Sequence, residues 1–128
     1  KIEGDRKVEI NISGVVGMLN TGEISNVEKI AVNVSTLTEE GDEKIAEALK
    51  DLTEAVANSQ EISSKQRMEV LEQLEELSNQ SVLPPEKRLK LGVIKATIQS
   101  LAGVIGATGG LVKVWSKWGP VIKGFFGL

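Results

Sequence analysis

With 128 residues, 41% of them hydrophobic and 26% charged, the chain has the composition of one small globular domain. It contains neither cysteine nor histidine, which excludes a disulfide framework, Ser-His-Asp or Cys-His catalysis and an ordinary zinc site. The net charge of −3 hides a split, because residues 1–83 carry 17 acids against 8 bases while residues 84–128 carry one acid, Glu86, against 7 bases. Such a division points to an anionic partner for the tail, or to two halves that face each other.

Residues 7–13 alternate, with Val8, Ile10 and Ile12 on one face and polar residues on the other, which is the pattern of a half-buried strand. After Ser13-Gly14, the run from Val15 to Leu19 reads as a short second strand, and Asn20-Thr21-Gly22 as a turn. Ile30, Val32 and Val34 alternate again and predict a third strand. Two or three short strands rarely stand alone, and their open edges invite pairing with another chain. Val8, Ile10, Ile12, Ile30, Val32 and Val34 are therefore expected either at the strand edge of an oligomer or on a hairpin that lies on the chain's own helices.

Thr36 and Glu39 have the spacing of a capping box, and Asp42 is a second candidate N-cap. Ile45, Leu49, Leu52 and Val56 then recur at helical spacing, with acids mostly on the opposite face. Ser63 and Gln66 open the next helix, whose stripe is Val70, Leu71, Leu74 and Leu77. The short link between the two favours an antiparallel hairpin. Pro84-Pro85 ends it and pre-sets the start of a third helix. From there Leu91, Ile94, Ile98, Leu101, Ile105, Thr108, Val112 and Trp115 form a seam of alternating three and four spacing. A helix from Glu86 to Lys117 would be about 48 Å long, roughly twice the hairpin, so it either breaks near Gly109-Gly110 or projects beyond its fold. Gly119-Pro120 is the next strong breaker. The expected fold class is α+β within one compact domain: a β element over 1–35, an acidic helical hairpin over 36–83, and a basic, Gly-rich helix with an aromatic tail over 84–128.

No residue set in the chain carries recognisable catalysis. Gly109-Gly110-Leu111-Val112-Lys113 lacks the spacing of a phosphate-binding loop, and the carboxylates crowd solvated helix faces. No enzyme activity, cofactor, metal or small-molecule substrate is expected. Nucleic acid is a distant possibility, because the basic residues are spread rather than clustered.

The tail carries the functional reading. Ala102, Gly106 and Gly110 lie four apart, as do Gly103 and Ala107, and small residues at that spacing let helices approach closely. Lys113, Lys117 and Lys123 are interleaved with Trp115, Trp118, Phe125 and Phe126, all the aromatic residues of the protein, in a pattern suited to a membrane interface or a partner. Two roles follow. One is a self-associating protein whose C-terminal helix acts on anionic membranes as an oligomeric pore or anchor; the other is a homo-oligomeric scaffold or adaptor with that helix as its shared core. No signal-peptide pattern is present, so the expected location is intracellular, in the cytoplasm or on the inner face of a membrane.

Overall fold

A computed structural model of the chain describes residues 21–128. These residues form α1 (Thr21–Glu39), α2 (Glu43–Ala57), α3 (Ser64–Val82), a 3-10 turn (Pro85–Lys87), α4 (Leu91–Ile105) and α5 (Val112–Phe125). No strand occurs among the described residues, so the fold is all-helical rather than α+β. The strand edge expected at Val8, Ile10 and Ile12, like the rung at 15–19, lies outside the described residues.

The third expected strand is overturned by a longer-range period. Val27, Ile30, Val34 and Leu37 are all buried and recur at steps of three and four, which is the stripe of a helix. Ile30 and Val34 belong to that stripe, whereas Val32 is 65% exposed. The alternation over five residues is a coincidence of a β-branched stretch. Thr21 and Gly22 open this helix instead of forming a turn, and Thr36 and Glu39 lie in its last turns, not at the start of α2. Thr36 spends its hydroxyl on the Val32 carbonyl one turn back. The chain reverses at Gly41, whose φ of +92° is reached at little cost only by glycine, and Asp42 then stands at the N-cap of α2. The capping box expected at α3 is present, with Ser63 Oγ accepting from the Gln66 amide and the Gln66 side chain accepting from the Ser63 amide.

Three cross-links set the direction of α1 against α3. Glu23 meets Arg67 at 2.8 Å, Lys29 meets Glu75 at 3.9 Å, and Asn33 donates to Ser78 Oγ at 2.8 Å and Asn79 Oδ1 at 2.7 Å. The near-constant separation in sequence makes the two helices parallel, with α2 running back between them. By the same logic α4 is antiparallel to α3, where Gln73 donates to Ser100 and the Leu89 amide to Gln80. The α2–α3 pair is the centre of the bundle: α1 packs on both, α4 on α3, and α5 on α2. One continuous core joins all five helices, including Ile30, Leu49, Leu74, Leu101 and Ile122.

Two buried polar features mark that core. The Glu23–Arg67 pair has side chains only 1% and 3% exposed, so neither charge has water to fall back on. Thr53 is fully buried, and its hydroxyl has no hydrogen-bond partner among the described residues. Opposite outcomes are expected in chemical denaturation. Arg67→Met removes the cation of a buried charge pair and should cost about 3–5 kcal/mol. Thr53→Val removes an unsatisfied hydroxyl at similar shape and should stabilise the fold by about 1 kcal/mol.

Candidate interaction surface

The C-terminal third is tied to the hairpin by a clasp that begins where α3 ends. Pro84 and Pro85 stop the helix, and Arg88 then turns back, its Nε donating to the Gln80 and Leu83 carbonyls at 2.9 and 3.0 Å. Both carbonyls lie at the end of α3, where the i+4 amide donors run out and the Gln80 carbonyl also accepts from the Leu83 amide. Gln80 is buried and serves both sides, accepting from the Leu89 amide and donating to Glu76. The Arg88 guanidinium lies 4.9 Å from the Phe125 ring centre and 5.3 Å from that of Phe126. The two rings meet edge to face at 5.1 Å, so a single cation holds both aromatics of the chain end.

The expected long third helix breaks in two. Residues 106–111 form turns, and the Gly110 amide donates to Glu61 Oε1 at 2.7 Å from the loop between α2 and α3. A Cβ at Gly110 would displace that carboxylate, the exposed end of a flexible side chain. Leu111 is buried beside it. The chain then returns as α5, antiparallel to α2, and the Trp118 indole N–H donates to Asp51 Oδ2 at 3.0 Å. Gly119-Pro120 lies inside α5 rather than ending it. Pro120 removes one amide, but it and Ser116 are both exposed, so the carbonyl left without a donor is on the water side.

This arrangement turns the tail's aromatic face inward. Trp118 and Phe126 are buried, and Trp115 and Phe125 are half-buried against the core. Lys113, Lys117 and Lys123 are exposed, and the Lys117 ammonium also lies 4.8 Å over the Trp118 ring. Among the small residues, Ala102 and Gly106 are half-buried while Gly103, Ala107 and Gly110 are exposed. The seam at four-residue spacing is therefore divided by the end of α4. A Cβ at Gly106 would meet the Ala102 carbonyl at 2.7 Å and Trp115 at 3.5 Å, whereas a Cβ at Gly103 would enter open space.

What faces outward is the far side of α4. Ile94, Ile98, Leu101 and Ile105 point to the core. The opposite line is Gly92, Ala96, Gln99 and Gly103, all exposed, and it carries no charge. Leu91 and Val93 flank it, 49% and 48% exposed, with Leu89 just before. Lys95 stands at its edge and Lys90 at the N-cap of the helix, both exposed and without an ion pair among the described residues. The result is a helix face with a small, uncharged centre and a basic rim.

No known protein family, curated protein or solved structure matches the chain. No described helix is long and apolar enough to cross a membrane, and no group of acidic side chains among the described residues could hold a metal ion.

Sequence reasoning missed Asp51, Glu61, Gln80 and Arg88, the four side chains that hold the tail in place. Each acts across a distance in sequence or on a backbone group, and none belongs to a motif. The local environments of two glycines make a paired prediction for thermal unfolding. Gly103→Ala adds a better helix former into open space and should stabilise by about 1 kcal/mol. At Gly119 a Cβ would lie 2.9 Å from the Trp115 ring, so Gly119→Ala should destabilise by about 1 kcal/mol or more, with altered Trp fluorescence.

Proposed function

We propose that this chain is a non-enzymatic helical interaction module that recognises an acidic protein surface through the outer face of α4. The observation that carries this reading is the make-up of that face: Gly92, Ala96, Gln99 and Gly103 in the centre, Lys90 and Lys95 at the rim. A partner helix can come close over glycine and alanine, and exposed lysines give orientation and salt-sensitive attraction. Depletion of charge at the centre with charged residues at the rim is also the ordinary anatomy of a protein interface.

Lipid is a poorer fit for the same face. Burying glycine and alanine removes little apolar area from water, and the rings that would suit a bilayer interface are already packed against the core. One observation favours a second reading, peripheral attachment to an anionic membrane: Lys113, Lys117 and Lys123 are all exposed on α5. Each would add about 1 kcal/mol of attraction at such a surface. A pore or inserted anchor would in addition require α5 to leave α2.

Two binding assays separate these readings. Fluorescence anisotropy with a labelled amphipathic helix bearing glutamates beside alanines should show binding that rises at low salt and falls at least about tenfold in Gly103→Leu. Flotation with phosphatidylserine vesicles should be weak. Firm flotation with no peptide binding would replace the protein-recognition reading with the membrane one.

A further inference from the structure

Resting on the interaction-module reading, we infer that the acidic partner is a second copy of this chain, whose α1–α2 corner receives the outer face of α4. The corner is where the acids of the hairpin are concentrated. Glu39, Glu40, Asp42, Glu43 and Glu47 are all exposed within nine residues, against Lys44 as the sole base in that stretch. Of these, Glu43 and Glu47 line a groove of about 290 Å³ between the two helices, room for a few side chains. Val34 and Ala46 make its apolar floor, and Glu43, Glu47 and Asp51 stand along its wall. Lys50 also lines it but is engaged with Glu54 at 3.1 Å. Glu43 and Glu47 make no ion pair among the described residues.

The two surfaces match in charge and in character. One is a groove with an apolar floor and an acidic wall; the other is a smooth helix face with exposed Leu91 and Val93 beside Lys90 and Lys95. A helix with glycine and alanine on its crest can settle low over such a groove, placing its flanking side chains at the floor and its lysines at the carboxylates. Both surfaces sit on every copy, and they lie on different helices. Each copy therefore offers a donor face and an acceptor groove. Complementary charge of this kind speeds encounter and fixes register, and it makes association depend on ionic strength.

The test uses the full chain in sedimentation velocity at low and high salt, with two charge-reversal variants whose helical content is checked by circular dichroism. One carries Lys90→Glu and Lys95→Glu; the other carries Glu43→Lys and Glu47→Lys. The unaltered chain should self-associate at about 100 µM in low salt and dissociate as salt rises. Each variant alone should be monomeric, with association weakened at least about tenfold. An equimolar mixture of the two native-face-bearing variants should recover pairing, because the native groove of the first meets the native α4 of the second. A monomeric unaltered chain in low salt overturns the proposal, as does an oligomer that neither variant weakens or a mixture that stays monomeric. In those cases, continued binding of the acidic helical peptide would leave the interaction-module reading standing with a different partner. Loss of peptide binding as well would remove both, and flotation on phosphatidylserine vesicles would assign the basic surface to lipid.

Discussion

The chain turns back at residues 106–111, where Leu111 is buried and the Gly110 amide donates to the Glu61 carboxylate, and the placement of the last helix depends on that turn. Continued as one helix, residues 91–125 would form a rod of about 52 Å, against about 22–28 Å for α2 and α3. The break gives α4 and α5 nearly equal lengths of 15 and 14 residues, and α5 matches the 15 residues of α2 beneath it. The turn joins the α2–α3 loop at one end of α2, and Arg88 holds Phe125 and Phe126 near the other. With both ends fixed, Trp118 falls opposite Asp51 in mid-helix.

This double attachment also relates the charge split to the fold. Two of the hairpin carboxylates are used within the fold, Asp51 and Glu61 accepting from neutral N–H groups of the tail. The charge contrast is displayed, as exposed lysines on α4 and α5 and exposed acids at the α1–α2 corner. The apolar face of α5 is the same face that would lie on a bilayer. It cannot pack on α2 and meet lipid at once, so any membrane role that uses the rings competes directly with the fold. A role that uses the outer face of α4 does not.

Much of the helical hairpin was legible, because Ile45 to Val56 and Val70 to Leu77 hold a helical period over several turns and Ser63 with Gln66 forms a local capping box. In α1 the reading failed through a short window: five residues at 30–34 satisfy a two-residue period, while the eleven from Val27 to Leu37 satisfy only the helical one. The break in the third helix was legible in its glycines, but the continuation through Pro120 was not, since it depends on which side of α5 faces water. For the tail, composition showed that four rings and three lysines had to be separated, and charge alone sends the lysines outward. The direction of the rings was not legible. It is decided by Asp51 and Arg88, which meet them from 67 and 37 residues away and belong to no local pattern.

The outer face of α4 is the surface that folding accounts for least. Gly119 gives room to the Trp115 ring, and a Cβ at Gly110 would displace the Glu61 carboxylate. Gly92 and Gly103 have no such role, because a side chain at either would enter open space and both backbones are helical. Each weakens the helix by roughly 1 kcal/mol relative to alanine and gains nothing within the described fold. Leu91 and Val93 show the matching anomaly, half-exposed aliphatic side chains next to a core that has no place for them. A helix that is locally weakened by its outward residues, and apolar at its flanks, is poorly suited to being only the outer wall of a bundle. Its composition is better suited to lying beneath another helix, where the missing side chains become the space that the partner fills.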